Sequence, residues 1–189
     1  LYKRELLAVD GTKIRARNSK CNCYTAEVLE KKMATIDEKI SRYMNELDEN
    51  DGSEKDAEAS PETIKAAVKE LTKRKEKYAE YFSRLTESGK TQLLTTDPEA
   101  RRMHSKDGFH CCYNVQTAVD GGSHLIAEYE VTNHNTDQGL LNQVCEQAKE
   151  ILETKTVEAA ADKGYESRED IFACLMNGTV PNVALKYDK

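Results

Sequence analysis

Leu29, Met33, Ile36, Ile40, Tyr43 and Leu47 follow one another at steps of four, three, four, three and four. Only a helix gathers such positions on one side, and the stripe predicts a helix over residues 24–48, about 37 Å long at about 1.5 Å per residue. A second stripe repeats the spacing through Ile64, Val68, Leu71, Lys75, Tyr78, Phe82 and Leu85, with Lys75 its one polar break. Between them, "DENDGSEKDAEASPE" is acidic, contains Gly and lacks apolar anchors, so residues 49–60 read as a mobile loop. Ser60-Pro61-Glu62 has the form of an N-cap with Pro at the first helical position, and Gly89 in "ESGK" marks the stop. Two facing stripes joined by a short loop predict an antiparallel helical hairpin, its second arm over 61–87. Self-contained packing is the simplest use of these stripes; dimerisation or contact with a DNA complex is the other.

The flanking sequence has a different period. "ELLAVDGTKIRAR" (residues 5–17) predicts a core strand ending at Asp10, a Gly turn and a second extended piece. Asp97-Pro98-Glu99 resembles the start of a short helix through Met103. "GFHCCYNVQTAVDGGSHLIAEYEVT" alternates on both sides of Asp120-Gly121-Gly122 and predicts a β-hairpin. "NTDQGLLNQVCEQAKEILE" is an amphipathic helix, "TVEAAAD" a strand, "REDIFACLMN" a helix opened by a Ser167 capping box, and "VPNVALK" a last strand. Without the helical hairpin the order is β, β-β, α, β, α, β. Three antiparallel strands followed by strands arriving through helical crossovers make a mixed α/β sheet of ribonuclease H-like order. The expected division is a core of residues 1–20 and 97–189 interrupted by an insertion of residues 21–96.

In that order the first strand and the strand after the first core helix are neighbours. Asp10 ends one and Asp162, in "AAADKGYES", ends the other. Two carboxylates at the same end of adjacent parallel strands repel unless a proton or a cation lies between them. Hard, oxygen-seeking Mg²⁺ suits such a pair, and two ions about 3.5–4 Å apart serve phosphodiester displacement. The plainer alternatives are an Asp-Gly turn at Asp10 and a turn cap at Asp162. Asp120 reads as a hairpin-turn residue. Lys163 and Arg168 flank Asp162 as candidates for phosphate contact or as solvated surface.

Charge narrows the function classes. The net charge is −6, distributed as +4 over residues 1–20, −3 over 21–96 and −7 over 97–189. A free-standing DNA-binding domain is usually basic, so any grip on nucleic acid here is local. No apolar run is long enough to span a bilayer, and "LYKRELLAVDG" is too charged for a signal peptide, so a cytoplasmic setting is expected. The six cysteines then read as reduced thiols. Cys21, Cys23, His110, Cys111 and Cys112 invite a zinc reading, but their spacings do not form knuckles. His104, His124 and His134 lie in turns or loops, where solvated or capping roles are expected. The chain starts without Met and reads as an internal piece.

"AVDGTKIRARNSK", "DPEARRMHSKDGFHCCYNVQTAVD", "EVTNHNTDQGLL" and "ADKGYES" together resemble the DDE transposases of bacterial insertion sequences. The similar branch carries a helical insert after its first acid. The resemblance implies that Asp10 and Asp162 are the first and second catalytic acids, that Asp10 bridges two Mg²⁺ or Mn²⁺ ions and that Asp162 holds one of them. It also implies DNA, both element ends and target, as partner, and allows a homodimer. The family's third acid is a Glu on a later helix, expected beyond Lys189, so the piece itself is expected to be inactive. The other readings are a non-catalytic relic or interaction module, and another nuclease of this fold.

Overall fold

The computed structural model describes residues 2–19, 22–50 and 60–185. Its elements run β1 (Leu6–Arg15), β2 (Cys23–Tyr24), α1 (Ala26–Asn50), α2 (Pro61–Ser88), β3 (Leu93–Leu94), β4 (Arg101–Ser105), β5 (Gly108–Asp120), β6 (Ile126–Thr132), α3 (Leu141–Leu152), β7 (Val157–Ala161), α4 (Arg168–Met176) and β8 (Thr179–Val183). They fall into two compact units. One joins Leu1–Lys20 to Thr96–Lys189, and the other is Cys21–Thr95.

The first unit is built on a six-stranded sheet of order β4-β5-β1-β7-β8, with β6 also on β5. β1 pairs antiparallel with β5 and parallel with β7, and β8 adds parallel to β7. This is the ribonuclease H-like mixed sheet that the element order predicts. β5 is long enough to hold β4 along Gly108–Cys112 and β6 along Asn114–Val119 on the same edge. Leu7, Val9, Ala118 and Ala159 point to one face, where Leu141, Val144, Ala148 and Leu152 of α3 cover them. The alternate residues Leu6, Ile14, Tyr129, Val131 and Val180 stay exposed on the other face.

Three local expectations are corrected. β1 does not end at Asp10; it continues through Gly11 to Arg15, because β5 supplies antiparallel partners from Asp120 down to Cys112. Asp97-Pro98-Glu99 starts no helix. The Asp97 carboxylate accepts a bond from Tyr113 Oη at 2.7 Å, and Arg101–Ser105 forms β4 with Met103 turned into the core. The cap-like motif lacked the apolar face that a helix needs to stay docked, whereas β5 offered a ladder. α3 starts at Leu141 rather than at the Asn135 end of its segment, because Gly139 takes a φ of +83°.

In the second unit the two stripes behave as read. Leu29, Ile36, Ile64 and Leu85 are buried, and Met33, Ile40, Tyr43, Leu47, Val68, Leu71, Tyr78 and Phe82 are half-buried. Tyr24 packs on Tyr78 and Tyr81, while Asp37 further along α1 meets Lys75 earlier in α2, so the helices are antiparallel. Ser60 caps α2 by accepting from Thr63 N, and Gly89 closes it at φ +63°. The loop expected at 49–60 lies almost entirely outside the described residues.

One tertiary cap holds α3 in place. Its N-cap residue, Leu140, offers no side-chain acceptor. The buried carboxylate of Asp170, on α4, accepts from Leu141 N at 2.9 Å and Asn142 N at 3.3 Å instead. Asp170→Ala should lower unfolding free energy by about 1–3 kcal/mol, the cost of leaving buried donors unpaired. Urea unfolding followed by circular dichroism measures it; an unchanged midpoint would show that this cap contributes nothing.

Candidate active site

The site grows from one rung of the parallel ladder. Val9 of β1 and Ala161 of β7 are Cα partners. Asp10 and Asp162 each follow one residue later, so two acids stand at the same level on neighbouring segments, Asp10 inside β1 and Asp162 just past the end of β7. Both residues are exposed. Asp10 Oδ1 accepts from Gly11 N at 2.8 Å, and Asp162 Oδ1 accepts from Gly164 N at 2.8 Å. The second bond starts a single 3₁₀ turn, Lys163–Tyr165. Among the described residues, neither carboxylate has a partner at Oδ2. Each acid is therefore held by its own backbone and presents its other oxygen to solvent.

A third acid, Asp137, lies against the same pair of segments. A Cβ on Gly11 would come within 2.5 Å of Asp137 Oδ1 and 2.6 Å of Gln116 Nε2. A Cβ on Gly164 would come within 2.9 Å of Asp162 Oδ1 and 3.4 Å of Asp137 Oδ2. Gly11 thus serves close approach inside a continuous strand, not a turn. Asp137 Oδ1 accepts from Asn114 Nδ2 at 2.7 Å, Gln116 Nε2 at 2.9 Å and Lys13 Nζ at 3.1 Å. Burial pushes its carboxyl upward, but these three donors outweigh that and hold it below the ordinary carboxylate value.

Gln116 carries the network inward. It is fully buried, donates also to Asn114 Oδ1 at 3.0 Å, and accepts from the hydroxyl of Tyr165. Tyr165 is itself fully buried. Burial first, then the charges of Asp137, Asp10 and Asp162, push its phenol well above the ordinary value, so it stays a neutral donor.

A cleft of about 740 Å³ opens beside these groups. Lys13, Arg15, His104 and Lys106 line it together with Asp137 and Asp162. Arg15 pairs with Asp107 at 2.8 Å, and the His104 ring meets Phe109 edge-on at 5.3 Å. One short cleft therefore combines cationic side chains with the exposed carboxylate of Asp162 and the half-buried one of Asp137.

The donor set fits a hard divalent cation in kind. Asp10 and Asp162 offer carboxylate oxygens. Mg²⁺ binds through one or two carboxylates and keeps several waters, which matches two outward oxygens. Among the described residues, no group of three or more His, Cys, Asp or Glu forms a ready-made metal cage. Cys111 and Cys112 are buried on β5, and Cys21 lies outside the described residues. Cys145 and Cys174 are buried, and their thiols are pushed up to about 12 and about 11, by burial first.

Asp120 is fully enclosed in the β5–β6 turn, where Ser123 Oγ at 2.6 Å and the N–H groups of Lys3, Arg4 and Ser123 bind it. Those donors, Ser123 first, keep it strongly ionised in a structural role. Glu166 follows the 3₁₀ turn as its C-cap. Sequence reasoning did not single out Asp137, Asn114, Gln116 or Lys13. "NTDQGLL" looked like the first turn of a helix, and nothing local ties it to β1 or β5.

Two outcomes test the network. Tyr165→Phe removes the only hydroxyl that reaches Gln116 Oε1 among the described residues, and should cost about 1–3 kcal/mol in urea unfolding. A carboxylate held low adds stability above its unfolded value and loses that stability as pH falls through its folded value. Stability should therefore drop as pH goes below about 4, and Asp137→Asn should flatten that part of the profile. Identical acid limbs for both proteins would contradict the assignment.

The family model of the transposase DDE domain matches residues 1–188. No curated protein and no solved structure matches the chain. The match spans the sheet, both Asp10 and Asp162, and the helical unit. The chain belongs to the transposase DDE domain family.

Proposed function

We propose that this chain is the catalytic core of a transposase whose intact form carries out metal-dependent DNA strand cleavage and strand transfer, with Asp10 and Asp162 as two of its acids. The observation that supports this most is their placement one residue beyond the same rung of β1 and β7, each with one oxygen turned outward. Members of the family generally use divalent metals. Asp10 and Asp162 would hold Mg²⁺ or Mn²⁺, two ions in the intact enzyme. Such ions supply a nucleophile at neutral pH and stabilise charge on the leaving oxygen.

The chain's own residues would do the rest. The backbone bonds at Gly11 and Gly164 fix the two carboxylates before any ligand arrives, which is the preorganisation that catalysis needs. Asp137 positions both segments from behind, through Gln116 to Tyr165. Lys13 and Arg15, on the same strand as Asp10, line the cleft where a DNA phosphate would lie. DNA, at element ends and target, is the partner this reading requires. The core of residues 1–20 and 97–189 would carry the chemistry, and the insertion of residues 21–96 would serve it.

Mn²⁺ binding to the chain, followed by electron paramagnetic resonance, is the direct test. Asp10→Asn and Asp162→Asn should each weaken binding about tenfold or more, while an Asp120→Asn control keeps it. In an intact transposase containing this chain, either of the first two changes should abolish strand cleavage and leave end binding in place. Unchanged Mn²⁺ affinity, or normal cleavage, would overturn the assignment.

A further inference from the structure

The helical unit carries a charged surface that the acids of the sheet do not explain. A groove runs along α1 and α2 as two adjoining hollows of about 400 and 280 Å³, which share Arg74 and Tyr78. Val28, Ile36 and Tyr78 contribute apolar lining. Six cationic side chains line it: Lys31, Lys32 and Lys39 from α1, and Lys73, Arg74 and Lys77 from α2. All six residues are exposed. Glu70 is the one acid in either lining. The chain as a whole is acidic, and residues 46–58 of this unit hold seven acids against one lysine, so the positive charge on the groove is a local concentration.

The arrangement carries an energetic cost that packing does not require. Lys65, Lys69, Lys73 and Lys77 stand four apart on α2, all exposed. Like charges at that spacing destabilise a helix by about 0.2–0.5 kcal/mol per pair. Among the described residues, none of these four has an acid within ion-pair distance, although Lys31 and Lys75 do. Two lysines are also held in place. Lys32 Nζ stands 5.6 Å from the Tyr78 ring centre, and Lys77 Nζ 5.6 Å from that of Tyr81. The rings lean on Tyr24, at 6.0 and 5.4 Å between centres. They are therefore committed to packing and to orienting ammonium groups, and are not free to stack on bases.

We infer that the groove along α1 and α2 is a DNA-contacting surface, which takes the phosphate backbone of a duplex without selecting bases. The inference rests on the reading that the protein acts on DNA. Charge complementarity selects the occupant. A lysine ladder four residues apart advances about 6 Å per step, and Lys65 to Lys77 covers about 18 Å. That length faces about five phosphates of one strand at about 3.4 Å of axis each. Ammonium groups supply point charges to phosphate and carry no base code, so the surface adds affinity and salt dependence while selectivity comes from elsewhere.

The test is fluorescence anisotropy of a labelled duplex of about 20 base pairs and arbitrary sequence, titrated with the whole chain across a salt series. A Lys32→Ala/Arg74→Ala/Lys77→Ala protein should bind at least tenfold more weakly at low salt, and its salt slope should shrink by about 3. Lys32→Arg/Lys77→Arg should retain binding, which separates charge from a folding defect, as should an unchanged helical signal in circular dichroism. Lys90→Ala/Lys155→Ala, two exposed lysines outside the groove, should bind as the parent does. Asp10→Asn/Asp162→Asn should also keep duplex binding while losing Mn²⁺, so that failure of the metal reading and failure of this one are separate results. The inference is overturned by equal affinity of the triple variant and the parent, by no duplex binding at all, or by an acidic polypeptide competing as well as duplex does.

Discussion

The parallel register of β1 on β7 is the constraint on which the rest of this site depends. Val9 sits against Ala161, and an acid follows each. A slip of one residue would turn the side chains of a strand to opposite faces and separate the carboxylates. Register is specified here because one face is fully committed. Leu7, Val9 and Ala159 must meet α3, and Asp10 must then lie on the exposed side. The same burial that stabilises the sheet aims the acid.

The buried polar network behind the strand ends is the second consequence. Asn114, Gln116 and Tyr165 are fully enclosed, and each meets a hydrogen-bond partner. Enclosed polar groups are costly unless paired, and a paired network in low dielectric is stiff. Asp137 ends it with a charge stabilised by three donors to one oxygen. Its other oxygen faces Gly164 and Asp162. Two glycines, Gly11 and Gly164, provide the room for this approach. Any side chain at Gly11 would displace Asp137 and Gln116, so strand continuity and site geometry are joined at one residue.

The helical unit follows a simpler rule. Two apolar stripes bury each other, and the remaining helical surface is left to charge. Its lysines are not distributed evenly, and the tyrosines that close one end of the helical pair also orient two of them. In an acidic chain such positive charge is local, set against a net charge of the other sign. The cleft beside Asp162 and the groove on α1 and α2 are two such places, one in each unit.

By itself the sequence determined what depends on local periodicity. The helical pair, the β5–β6 hairpin, the capping of α2 and α4, and the order of the other core strands and helices apart from β4 all follow from spacings within one segment. Asp10 and Asp162 stand out in the sequence because each follows an apolar run, though only Asp162 follows the end of its strand. Only the tertiary structure decided three things. β1 runs on through Gly11, because β5 offers it partners about a hundred residues away in the chain. Arg101–Ser105 is a strand, because the same β5 has a free edge there. Asp137 joins the site, because Lys13, Asn114 and Gln116 converge on it from two other strands. In each case the deciding partner is distant in sequence, and pairing energy across that distance overrode what the local residues preferred.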